Sequence, residues 1–193
     1  MRHFILKVLI LSTALFFLFG ILDKILSNSL RKTNLFQGEC EVWNDIYNSK
    51  IDCEVAIYGS SRAWVQVNPE IIESETKLKT YNFGIDGHNF NMQYLRHLEY
   101  LRLNPSPKII VLCLGAYSLE KRVDFYNMEQ ILPFMLWNSN IKKITNDYIG
   151  IKNRDFYIPL IRYSGQKKAI KESVKIINGK KEFKHRKNGF RSS

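Results

Sequence analysis

Residues 57–64 read Ile-Tyr-Gly-Ser-Ser-Arg-Ala-Trp. An apolar run ends at Gly59, two serines follow at once, and helix-compatible residues come next. A serine where a strand gives way to a helix sits at the rim of a sheet. Its hydroxyl is exposed there, and nearby backbone N–H groups can face a developing oxyanion. The matching chemistry is acyl transfer: a hydroxyl attacks a carbonyl carbon, a base removes its proton, and N–H donors hold the tetrahedral oxygen. The spacing is not the G-x-S-x-G of a nucleophile elbow. The same residues also suit a polar turn that caps a helix, and at this level both readings stand.

A serine needs a base, and the chain has four histidines, at 3, 88, 97 and 185. His3 abuts an apolar amino-terminal run. His97 falls in a helical pattern and reads as a surface or half-buried residue. His88 follows Gly87 and is a pocket candidate without an obvious carboxylate to orient it. Glu182 and His185 have acid-x-x-His spacing but lie in a basic tail with no framing element. There is no C-x-x-C or H-E-x-x-H spacing, so a zinc framework is not expected, and acyl transfer by a serine requires neither a metal nor an organic cofactor.

The elements that would carry such a site are legible from periodicity. Cys53–Tyr58 is a short apolar run reading as a buried strand. Asn68-Pro69-Glu70 is a helix start, with Asn as N-cap and Pro in the first position. Tyr81–Phe83 reads as a second strand, ending at Gly84. Met92, Leu95, Leu98 and Leu101 mark one face of a helix that stops before Pro105. Lys108–Leu114 is apolar throughout and predicts a central parallel strand; it ends at Gly115. Strand, helix, strand, helix, strand within 65 residues is the pattern of a doubly wound α/β sheet. The expected strand order is 2-1-3. Ligand sites in such sheets form at the carboxyl ends of the strands.

These blocks together resemble the SGNH/GDSL hydrolase family, in its membrane-anchored bacterial branch. Gly59-Ser60-Ser61 stands where the family has G-D-S, which implies Ser61 as nucleophile. Tyr81–Gly87 is similar to the second block, which implies the Gly87 amide as an oxyanion donor. Gly115-Ala116-Tyr117-Ser118 stands at the third block, G-x-N-D, with Tyr117 in place of the Asn and Ser118 in place of the Asp. Gly59, Ser60, His88, Gly115, Tyr117 and Ser118 are thereby substrate-pocket candidates. The resemblance covers about residues 53–120 and implies a flavodoxin-like parallel sheet. The activity it implies is hydrolysis or transfer of acyl esters on a cell-envelope polysaccharide. The family's closing Asp-x-x-His block has no counterpart. That leaves two accounts: an incomplete fold within a longer protein, which is the expectation, or a degenerate relative that assembles or binds envelope polysaccharide without catalysis.

The two ends of the chain have their own chemistry. Val8–Leu22 is an uncharged run of 15 residues, extended on both sides by apolar residues across Lys7, Asp23 and Lys24. With Lys7 snorkelling, it approaches the ~20 residues a bilayer requires. No small-residue cleavage site follows, so residues 1–26 predict an uncleaved single-pass anchor in a bacterial cell membrane. Basic residues flank both ends, and the body is expected outside the cytoplasm. Residues 27–52 read as a polar tether and a first helix over 39–48, 53–140 as the α/β core, and 141–193 as a basic region. Residues 141–193 hold 15 Lys and Arg against 4 Asp and Glu, which accounts for the whole net charge of +11. That region reads as a solvated insertion or as a surface for anionic lipid or an acidic polymer. Within it, Gln166–Ile177 is an amphipathic basic helix, and Lys180–Ser193 is expected to be disordered. No nucleic-acid motif is present, and nucleic acid is not an expected partner. Cys113 reads as a core residue; Cys40 and Cys53 read as free thiols or as a pair in an oxidising compartment.

Overall fold

The computed structural model describes residues 1–33, 35–180 and 183–191. In chain order the helices are α1 (Arg2–Arg31), α2 (Glu39–Tyr47), α3 (Ser61–Gln66), α4 (Pro69–Thr76), α5 (Phe90–Leu103), α6 (Leu132–Met135), α7 (Ser139–Thr145) and α8 (Lys167–Ile177). The strands are β1 (Val55–Gly59), β2 (Thr80–Asn82) and β3 (Ile109–Cys113). All three are parallel, in the order β2-β1-β3, as expected. β1 is buried along its whole length. Asn68 caps α4 as its sequence predicts, its side chain accepting from the Glu70 amide at 2.9 Å. The architecture is mixed α/β around a small parallel sheet.

β3 departs from its expected place. Its apolar run predicts a central strand, but it forms an edge, with Ile109 46% and Ile110 54% exposed. Among the described residues no strand pairs with its outer side. Periodicity reports that a strand is apolar on both faces; it does not report whether a neighbour is there to cover them.

α1 departs too. Residues 27–31, expected as tether, continue the helix to Arg31. The apolar part is exposed from Phe4 to Leu22, but Asp23, Ser27, Ser29 and Leu30 are buried against the body. Both Asp23 oxygens accept from the Arg162 guanidinium at 2.6 Å. The Leu160 amide donates to the same carboxylate, and the Ser27 and Tyr163 hydroxyls meet at 2.7 Å. The helix is long and apolar enough to cross a membrane. It enters the body without a flexible joint, its first buried residue being Asp23.

The expected disorder after Lys180 is corrected for residues 183–191; Lys181, Glu182, Ser192 and Ser193 lie outside the described residues. Residues 183–191 fold back along the outer edge of β2. The Asn82 amide donates to Asn188 O at 2.9 Å, and the Arg191 amide to Trp64 O at 3.1 Å. Arg186 is buried and pairs with Glu39 at 2.7 Å. Elsewhere in the basic region, Ile161–Tyr163 forms a 3-10 turn. Cys40, Cys53 and Cys113 are free thiols. Burial raises the Cys40 thiol to about 12.

Candidate functional site

The loop after β2 rests on a buried ion cluster. Glu39, at the start of α2, pairs with Arg96 of α5 at 2.5 Å and with Arg186, and all three are buried. Arg96 also donates to the carbonyls of Phe83 and Gly84, and Arg186 to Gly84 O. Glu39 accepts from the Asp86 amide at 2.9 Å. A carboxylate between two guanidiniums is well compensated. Burial raises the Glu39 pKa, but Arg186 and Arg96 outweigh it and hold the carboxyl below its ordinary range. The cluster thus fixes the path of residues 83–86 and delivers Gly87.

Gly87 adopts φ +68°, and a Cβ there would lie 2.2 Å from the Tyr126 ring. Only glycine suits both constraints. Across the sheet end, β1 delivers Ser60 and Ser61 to the start of α3. Gly59 lies beneath them. A Cβ on it would meet Ala63 Cβ at 2.6 Å and Cys113 Cβ at 2.9 Å, so this glycine lets β1, α3 and β3 approach closely. It does not line the pocket above.

That pocket, about 430 Å³, lies at the carboxyl ends of the strands. It is lined by Ser60, Ser61, Gly87, His88, Gly115, Tyr117 and Ser118, which are seven of the eight candidates drawn from sequence. Arg62, Asn89, Glu120 and Arg122 line it as well. Sequence reasoning missed these four. Arg62 adjoins Ser61 and Asn89 adjoins His88, which was a usable signal; Glu120 and Arg122 sit in a loop with no pattern.

The residues differ in how far they are committed. Neither serine hydroxyl is bonded to another described residue, and Ser60 does not cap α3 through its side chain. Arg62 likewise has no hydrogen-bond or ion-pair partner among the described residues. Asn89 is buried; its Nδ2 donates to Glu120 O, while its Oδ1 has no partner. Ser118 is committed: its Oγ accepts from the Gly115 amide at 2.7 Å, so that amide faces Ser118 rather than the pocket. The Gly87 carbonyl accepts from Arg122 at 2.7 Å. The Gly87 amide lies close enough to the Asp86 carboxylate to lower its pKa, although burial and Glu39 raise that group overall. An oxyanion would compete with Asp86 for this donor. Tyr117 stands at the rim, 73% exposed.

His88 is buried, and its Nε2 donates to Tyr126 O at 2.7 Å, which leaves Nδ1 as the acceptor nitrogen. Burial lowers its pKa to about 4, against smaller raising effects of the Tyr126 carbonyl and Glu39. It is neutral at pH 7 and a weak base. His97 lies in α5, and its Nδ1 meets the Tyr58 hydroxyl at 2.8 Å, beside the sheet rather than at its end. His185 is exposed, its amide bonded to Glu41; Glu182, its partner by spacing, lies outside the described residues. Among the described residues no cluster of His, Cys, Asp and Glu could hold a metal ion.

No family model, curated protein or solved structure matches this chain.

Proposed function

We propose that this is a membrane-anchored protein of SGNH-hydrolase type, whose strand-end pocket receives an acylated saccharide of a bacterial cell envelope. The body stands outside the cytoplasm. Ser61 occupies the nucleophile position, with the Ser61 and Gly87 amides as oxyanion donors. One observation carries the reading: Ser61, Gly87 and His88, from two different strand ends, converge with Gly115 and Ser118 on one pocket. The free hydroxyls, the Arg62 guanidinium and the unpaired Asn89 Oδ1 suit a polar, hydroxyl-bearing ligand. What the described residues do not supply is an effective base for Ser61, so acyl transfer by them alone is expected to be negligible.

A second reading, a non-catalytic polysaccharide-binding or assembly protein on the same scaffold, is favoured by His88. Its buried ring and low pKa equip it to shape the pocket rather than to remove a proton.

Chemical rescue separates the two. The full chain in detergent is assayed on short acyl esters with and without added imidazole, against Ser61→Ala as the blank. The acyl-transfer reading expects no turnover without imidazole and an increment with it that Ser61→Ala removes. A chain and a variant indistinguishable at every imidazole concentration would refute Ser61 as nucleophile. Retained binding of an O-acetylated oligosaccharide, weakened about tenfold by Arg62→Ala as for a lost charged hydrogen bond, would then favour the binding reading.

A further inference from the structure

α8 carries three distinct faces. Ala169 and Ser173 are buried, and the Ser173 hydroxyl donates to Leu26 O of α1 at 3.4 Å. Ile170, Val174 and Ile177 are 36%, 44% and 51% exposed. At 100° per residue these three fall within about 60° of one another, directly beside the buried face. Lys167, Lys171 and Lys175 continue round the helix from there; Lys175 pairs with Glu172. An apolar face left open beside a basic one is not needed for packing in the body.

The position of α8 says what can cover it. Ser173 meets α1 at Leu26, four residues past Leu22, which is about 6 Å along the helix axis. The exposed apolar surface of α1 runs on through Ile21, Leu22 and Ile25. α8 therefore lies against α1 at the level where the apolar span ends, the depth at which interfacial helices rest in a bilayer. There the isoleucines and valine would meet acyl chains, and the lysines would meet phosphate headgroups.

We propose that α8 is an interfacial helix that docks onto the same bilayer α1 spans and is selective for anionic phospholipid. The proposal rests on reading α1 as a membrane span. Its occupant is the lipid surface, because the open apolar face belongs to a helix that meets α1 beside the end of its exposed apolar part, and its flank is basic. The consequence is a body held by two contacts, with restricted rotation about α1.

The test uses the full chain with Cys113→Ser, reconstituted in vesicles and labelled with an environment-sensitive fluorophore at one introduced cysteine. The sites are Val174→Cys on α8, Phe16→Cys on α1, and Glu75→Cys, an exposed position on α4. Vesicles are phosphatidylcholine alone or with one third phosphatidylglycerol, and carry brominated acyl chains as quencher. We expect quenching at positions 16 and 174 and none at 75. Quenching at 174 should rise about twofold with phosphatidylglycerol and fall back in a Lys167→Glu, Lys171→Glu variant. Quenching at 16 with none at 174 would overturn the docking of α8 while leaving the anchor intact. No quenching at 16 would overturn the anchor and the docking together. Equal quenching at 174 in both lipids would overturn the selectivity.

Discussion

Asp23 and Arg162 are 139 positions apart in sequence and meet through two 2.6 Å hydrogen bonds, both side chains almost wholly buried. The acid belongs to the helix that carries the apolar span, and the arginine to the basic region. Their pairing joins the long apolar helix to the body as one piece.

Removing one partner of a buried ion pair leaves an uncompensated charge. Asp23→Asn should destabilise the body by about 3–5 kcal/mol, and the double replacement Asp23→Leu, Arg162→Met by much less. Denaturant unfolding in detergent measures both. Equal losses in the single and double variants would mean that the pair's charge is not what matters there.

His88 sets a pH dependence. Its folded pKa is about 4, against about 6.5 in an unfolded chain. Below pH 6.5 the unfolded chain takes up a proton that the folded one refuses. Stability is therefore full above about 6.5 and falls as pH drops toward 4, by about 3 kcal/mol in all. His88→Gln should flatten that interval. Unfolding midpoints measured between pH 4 and 7 in both proteins decide the matter.

Gly189 fixes the returning carboxyl-terminal segment. It adopts φ +76°, and a Cβ there would sit 1.8 Å from Asn82 O. Gly189→Ala should lift residues 183–191 from β2 and free the Asn82 amide from Asn188. Hydrogen exchange at that amide should accelerate at least about tenfold. Unchanged protection would show that the segment does not depend on this contact.

β1 and β3 should respond differently to the same truncation. Ile57 on β1 is fully buried, whereas Ile110 on β3 is half exposed. Ile57→Ala should cost about 2–5 kcal/mol, and Ile110→Ala under about 1 kcal/mol, the range of surface positions. Comparable losses measured by denaturant unfolding would mean that β3 is covered in solution.

The sequence by itself determined the local elements and their order. Apolar runs stopping at Gly59, Gly84 and Gly115, with a capped helix at Asn68, suffice for three parallel strands, because these patterns act over a few residues and crossovers have a preferred hand. Periodicity also exposed the apolar span and the amphipathic α8. It placed Ser61 at a strand end, where a parallel sheet gathers its ligand contacts, while Gly87 was implied by the family resemblance. What only the tertiary structure decided depends on partners far along the chain. Asp23, Glu39, Arg96 and Arg186 read as solvated charges until their counter-ions are known, and each is buried because a distant opposite charge offsets its desolvation. Glu120 and Arg122 enter the pocket through a loop whose path no local pattern encodes. β3 has the composition of a central strand and the place of an edge, because composition describes the strand and only the fold supplies its neighbours.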